Sequence, residues 1–192
     1  MNKKIVPTTM CNDCQVHQGF DKAMNGLENL LDYTDSLSKI FPRVIFTGHS
    51  LGGALATIAV GKINVPLDVN LNLITFGSPK VGNHKFVDFI NKKVSGDNYR
   101  IKYKDDPITF LPSQVEYSHV GTLMWFVNNN EYKYKMTDNE EYSILSIIDH
   151  TKYPEINPKN KVEIRRRRRR DLVRRKKIDW LSWVGDRISW RR

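Results

Sequence analysis

A serine between two glycines, Gly48-His49-Ser50-Leu51-Gly52, is the part of this chain whose residue types and spacing could do covalent chemistry. A serine hydroxyl is a weak nucleophile unless a base stands within hydrogen-bonding reach. The spacing suits a sharp strand-to-helix turn that holds the serine in a strained conformation with its hydroxyl in the open. In such a turn the residues two positions either side approach each other closely, and glycine fits where a Cβ would clash. The surroundings agree with that turn. Val44-Ile45-Phe46 is a short apolar run with strand character, and the alanine-rich stretch from Leu51 reads as a helix. Gly53, Ala54 and Ala56 would let that helix lie close to a sheet. Its first free N–H group, on Leu51, would face the place where an oxyanion forms.

The serine needs a base and an acid, and the residues alone leave both open. Asp105 and Asp106 follow Tyr99–Tyr103, a predicted strand, at the end where open parallel sheets gather their site residues. The histidines are His17, His49, His84, His119 and His150. His49, beside the serine at a tight turn, is expected to point away from it. His17 precedes a helix, and His84 lies in an exposed helical turn.

Several separate stretches make a wider pattern. They are Val16-His17-Gln18-Gly19-Phe20, Gly48-His49-Ser50-Leu51-Gly52-Gly53, Thr75-Phe76-Gly77-Ser78-Pro79-Lys80-Val81-Gly82-Asn83, Asp105-Asp106-Pro107-Ile108-Thr109-Phe110-Leu111-Pro112, Tyr117-Ser118-His119, and Asp149-His150-Thr151-Lys152-Tyr153. Together they resemble the class 3 (fungal-type) triacylglycerol lipase family of α/β-hydrolases, from Val16 to about Tyr153. The resemblance implies Ser50 as nucleophile, Asp106 as acid and His150 as base, in the chain order Ser, Asp, His. It prefers Asp106 to Asp105 because the family's acid comes second in that pair. It prefers His150 to His119 because family members carry a histidine at the latter place without a triad role. It also implies a lipid ester substrate, most simply an acylglycerol, an acyl-enzyme on Ser50, and no cofactor or metal. Family members are often secreted.

The elements that would position these residues are legible from periodicity. Apolar residues from Phe20 to Phe41 fall near helical spacing, and Pro42 closes that helix. A helix from Leu51 to about Ile63, a buried strand Leu71–Phe76, a helix over Asn83–Val94 and the strand Tyr99–Tyr103 follow. Val120–Val127 and Glu131–Lys135 flank Asn128-Asn129-Asn130 as a hairpin. Strands alternating with helices predict an α/β fold with a mostly parallel sheet flanked by helices. Residues 1–15 read as polar and patternless. Cys11 and Cys14 are too few for a disulfide scaffold, and a lone Cys-x-x-Cys lacks the second pair of a zinc site.

The family also carries an earlier strand ending in Phe-Arg-Gly-Thr or Phe-Arg-Gly-Ser, and then a lid helix. The resemblance begins after both. The expectation is an incomplete sheet in an N-terminally truncated lipase-like domain over residues 1–160. Leu51 would then be the one assigned oxyanion donor, and Val44-Ile45-Phe46 would form an apolar sheet edge. As written the chain begins with no secretory signal, and no apolar run approaches membrane-spanning length.

Net charge divides sharply. Residues 1–160 hold 17 Lys or Arg and 17 Asp or Glu, whereas 161–192 hold 14 and 4, so the whole +10 sits in the tail. Arg165–Arg170 is an unbroken arginine run, and Trp180, Trp183 and Trp190 follow it. Such a run is commonly solvated. Basic residues with tryptophans also suit an anionic membrane surface, and nucleic acid is the less favoured polyanion. The reading is therefore a lipid-ester serine hydrolase. The alternative is an inactive remnant that binds a membrane or nucleic acid through its tail.

Overall fold

The computed structural model describes residues 4–128, 132–135 and 146–153. The tail over 161–192, and Asn129 and Asn130 of the expected hairpin linker, lie outside the described residues.

Alternation of apolar strands with helices gives the expected α/β fold, a mostly parallel sheet flanked by helices. Strands β3 (Arg43–His49), β4 (Asn70–Phe76), β5 (Asn98–Tyr103), β6 (Thr122–Phe126) and β7 (Tyr132–Lys135) form one sheet in that spatial order. The first four run parallel, and β7 closes the sheet antiparallel to β6. The hairpin read around Asn128-Asn129-Asn130 is therefore present as the β6–β7 pair. Helices α3 (Leu51–Lys62) and α4 (His84–Lys93) connect the strands. Strand β4 is buried on both faces, as a central parallel strand must be.

One face of the sheet packs on α3, where nearly every residue from Gly53 to Gly61 is buried. Small side chains there let α1 (Gln18–Asn25) and α4 come in against it, with Phe20, Met24, Phe86 and Ile90 filling the space between. The other face gathers Ile74, Ile101, Tyr103, Met124, Phe126 and Tyr153 into a second cluster.

Two regions differ from the sequence reading. The single helix expected over Phe20–Phe41 is two, α1 and α2 (Glu28–Ser38), parted at Gly26-Leu27. Glycine is a poor helix interior residue, and burial decides the rest. Phe20 and Met24 enter the core, while Leu27, Leu30, Ile40 and Phe41 stay exposed, so the apolar stripe does not select one continuous face. The N-terminal stretch is not patternless either. Strand β1 (Ile5–Pro7) pairs antiparallel with β2 (Gln15–His17), and Cys11 and Cys14 form a disulfide with each other inside that hairpin. A strand of three residues carries too little alternation to be seen in sequence, and its register is set by the turn: Thr8 N–H donates to the Cys14 carbonyl at 3.0 Å.

Among the described residues strand β3 is an edge of the main sheet, as expected. Beside it Ile40 is 73 % and Phe41 54 % exposed. Stability should follow this division between core and edge. Phe86→Ala, in the fully buried cluster, should cost about 3–5 kcal/mol in denaturant unfolding. Phe41→Lys at the edge should change the unfolding free energy by no more than about 0.5 kcal/mol. A large loss from the edge substitution would mean that Phe41 is covered.

Candidate active site

Ser50 stands between β3 and α3 with φ 55° and ψ −124°, a conformation disfavoured for a residue with a Cβ. The turn is tight because the backbone at position 48 almost touches that at position 52. A Cβ on Gly48 would lie 2.3 Å from the Gly52 carbonyl. The second demand for glycine falls at Gly53, whose Cβ would come 2.8 Å from Ser78 Cβ, whereas a Cβ on Gly52 would point into open space. Of the two glycines flanking the serine, only Gly48 is required by sterics. The Ser50 N–H donates to the Phe76 carbonyl at 2.9 Å, tying the turn to β4. Leu51 opens α3, so its N–H is at the positive end of that helix, next to Ser50.

Asp106 follows β5 by way of Lys104, itself at φ 42°, and caps a 3-10 turn over Pro107–Phe110. Its carboxylate is 0 % exposed. Oδ1 accepts the Ile108 N–H at 2.9 Å, and Oδ2 accepts His150 Nδ1–H at 2.9 Å and the Tyr153 hydroxyl at 2.6 Å. A carboxylate accepts only, so Nδ1 carries the proton and Nε2 is left as an acceptor. The Ser50 hydroxyl donates to that Nε2 at 2.8 Å. Ser50, His150 and Asp106 thus form one continuous hydrogen-bonded line, drawn from positions 44 and 100 residues apart.

His150 is held by its neighbours as well as by its ring. It sits in a 3-10 turn, Asp149–Thr151. The His49 Nε2–H donates to the His150 carbonyl at 2.8 Å, and the two rings lie 4.5 Å apart. Asp105, the other candidate acid, faces this turn with its backbone: its carbonyl accepts Ser146 N–H at 3.1 Å, and its N–H donates to Asp149 Oδ2 at 3.4 Å. These ties, and the Tyr153 hydroxyl, were not read from sequence. Tyr153 falls in the Asp-His-x-x-Tyr stretch, which is the one signal of it in the sequence.

The other histidines are placed elsewhere. His119 is buried, and its Nε2–H donates to the Thr109 carbonyl at 2.6 Å, bracing the turn that follows Asp106. Burial, and then the nearby Arg100 with Lys80 and Lys102, hold its imidazole well below the ordinary histidine range. His17 caps α1, its Nδ1 accepting the Gly19 and Phe20 N–H groups. His84 is an exposed surface residue near Asp88. Beside Ser50 opens a cavity of about 420 Å³ lined by His17, Phe20, Leu51, Pro79, Ile108 and Leu111, mostly apolar. Among the described residues no three or more His, Cys, Asp or Glu side chains converge to hold a metal ion. No helix among them is long and apolar enough to cross a membrane.

Comparison with known proteins gives this arrangement a family. Residues 1–116 match the family model described as Lipase (class 3). A secreted mono- and diacylglycerol lipase 1 of Fusarium solani is 37 % identical over 119 residues, 58 % of this chain and 34 % of that protein. A secreted mono- and diacylglycerol lipase 2 of Gibberella zeae is 33 % identical over 132 residues, 61 % of this chain and 32 % of that protein. The chain thus spans about a third of the length of these curated relatives. The native Rhizomucor miehei lipase propeptide complex superposes with a TM-score of 0.69 at 26 % identity, covering 82 % of this chain and 56 % of that one. Lipase II from Rhizopus niveus does so with a TM-score of 0.66 at 25 % identity, over 80 % and 64 %. A match over more than half of the chain, on an α/β sheet with a strained serine elbow, settles its kinship: the chain belongs to the class 3 lipase family, with the α/β-hydrolase fold.

Proposed function

We propose that this chain is a serine hydrolase that cleaves carboxylic esters of lipids, with Ser50 as nucleophile, His150 as base and Asp106 as the acid that orients it. The observation that carries the reading is the line of bonds from Ser50 Oγ to His150 Nε2 and from His150 Nδ1 to Asp106 Oδ2, at 2.8 and 2.9 Å. Ser50 Oγ attacks the ester carbonyl carbon while His150 Nε2 takes its proton. The carbonyl oxygen becomes an oxyanion that the Leu51 N–H stabilises at the start of α3. Collapse breaks the bond to the alcohol, which leaves with the proton from His150. Water then attacks the acyl-serine by the same route, releasing the acid and restoring Ser50. Asp106 keeps its charge throughout and stabilises the imidazolium.

The substrate class is supported by the apolar cavity beside Ser50 and by the relatives named as mono- and diacylglycerol lipases. An acyl chain against Phe20, Leu51, Ile108 and Leu111 contributes about 0.8 kcal/mol per buried CH₂. The reading of an inactive remnant is not favoured, because the three polar side chains it would have no use for lie within bonding reach of one another. We further propose that the tail over 161–192 holds the protein at an anionic lipid surface, a reading supported by its charge and its tryptophans.

A fluorophosphonate probe should label the protein, and Ser50→Ala should abolish labelling. Labelling that survives the substitution would move the nucleophile elsewhere.

The two histidines should separate by what they change. His150→Ala should lower turnover of a short-chain ester as far as Ser50→Ala does, since such residues act as a unit. His119→Gln should keep substantial activity and alter the pH dependence of stability instead. The buried His119 stays neutral while an unfolded chain takes up a proton below the ordinary value of 6.5. Its contribution is therefore present above that value and lost as pH falls below it, by at most about 1.4 kcal/mol per pH unit. Urea unfolding of the His119→Gln protein should show a shallower loss on the acid side. The opposite ranking of activities would make His119 the base.

Removal of residues 161–192 should leave hydrolysis of a soluble short-chain ester unchanged and weaken binding to anionic vesicles, by up to about 1 kcal/mol per basic residue and less in salt. Vesicle binding that is unaltered by the truncation would refute the surface role.

A further inference from the structure

We propose that Tyr153 is a positioning residue for the Asp106–His150 pair, acting through its hydroxyl on the carboxylate and not on substrate; this rests on the hydrolase reading above. The direction of its bond is fixed by its partners. The Tyr153 oxygen accepts the Tyr103 main-chain N–H at 3.2 Å, which leaves the hydroxyl proton for Asp106 Oδ2 at 2.6 Å. That oxygen is the same one that accepts His150 Nδ1–H. The two donors share one lone-pair-bearing atom inside a fully buried site, where a bond to a charged acceptor is strong and directional.

A second observation is independent of the hydrogen bond. Gly77 leaves β4 at φ 55°, and a Cβ there would lie 2.7 Å from Asp106 Oδ2 and 2.9 Å from the Tyr153 ring. The backbone has been cleared for the carboxylate and the phenol to meet. The ring is seated between Phe76 and Tyr103, with the rings of His49 and His150 on its other sides. Tyr153 does not line the cavity beside Ser50. Its influence on the reaction therefore passes through Asp106.

The consequence is a balance of charge. The hydroxyl draws electron density from Oδ2 and stops the carboxylate from turning. Without it the carboxylate's full charge faces the imidazolium, which becomes easier to form and harder to discharge, while its aim at Ser50 loosens. Tyr153→Phe keeps the ring and deletes only the hydroxyl. It should lower kcat by about ten- to a hundredfold, the size of one lost bond to a charged group, with little change in KM. The acid limb of the kcat/KM profile should move to higher pH. Site-specific 3-fluorotyrosine at position 153 keeps the fold and strengthens the donor, so it should move the limb to lower pH. In both proteins the low-field proton resonance of His150 Nδ1–H should shift. Thermal melting of each variant separates a loss of fold from a loss of aim. An acid limb and a resonance that stay put in both variants would overturn the proposal, whatever the drop in turnover. If the parent protein hydrolyses no ester, the hydrolase reading fails, and the resonance alone decides the role of Tyr153.

Discussion

The site depends on one buried charge. The Asp106 carboxylate is fully removed from solvent, and an ion in that position is costly unless every partner is in place. Its three partners come from two parts of the chain: the Ile108 N–H of the turn it caps, and the imidazole of His150 with the hydroxyl of Tyr153. Two of these arrive on the segment 149–153, far in sequence from β5. That segment has little apolar burial of its own beyond Tyr153, so the carboxylate draws it in. The His49 bond to the His150 carbonyl and the Asp105–Asp149 contact then fix its backbone. The geometry that holds His150 follows from the need to give the buried Asp106 carboxylate its hydrogen-bond donors.

Strain at Ser50 is the complementary constraint. A non-glycine residue at positive φ persists only where its surroundings over-determine it. Here they do so through small residues. Gly48 lets the turn close on Gly52, Gly53 lets α3 approach Ser78, and the alanines of α3 let the helix lie flat on β4. The burial of nearly all of α3 thus helps to hold Ser50 against His150, because a helix free to shift would relax the serine away from it.

The sequence made the local parts of this legible and the distant parts less so. The elbow lies within one short stretch, where glycine spacing, strand and helix each report on the same turn. The alternation of strands and helices that defines the sheet was legible for the same reason. The acid was not decided by spacing, since Asp105 and Asp106 are adjacent at a strand end. One step along the backbone there separates a buried carboxylate from a residue that works through its main chain, and periodicity does not resolve one step. The family resemblance chose Asp106, and the structure places that residue against His150. The bond of Tyr153 is not legible in sequence because it joins a hydroxyl to a carboxylate 47 positions earlier, a relation with no local signature. The N-terminal hairpin escaped for a different reason: Ile5-Val6 is too short to show a period, and the pairing is made by a turn and a disulfide.

The edge position of β3 makes the elbow's anchoring one-sided among the described residues. Strand β3 pairs with β4 along its whole length, from Arg43 opposite Asn70 to His49 opposite Phe76, and the Ser50 N–H extends the ladder to the Phe76 carbonyl. A strained residue at the end of a short or broken ladder would fray. In a ladder in register to its last residue, the strain is opposed by each preceding pair. Strand β3 itself is at most half-buried, and Ile40 and Phe41, just before it in the chain, stand exposed. Among the described residues no strand pairs with the outer side of β3. The unbroken β3–β4 register therefore explains how the turn keeps its shape with one neighbour. It also explains why β4, which leads from Phe76 into Gly77, reaches both Ser50 and Asp106: the Phe76 carbonyl takes the Ser50 N–H, and the bare Gly77 makes room for Asp106 and Tyr153. One strand end thus sets the distance between the two ends of the hydrogen-bonded line.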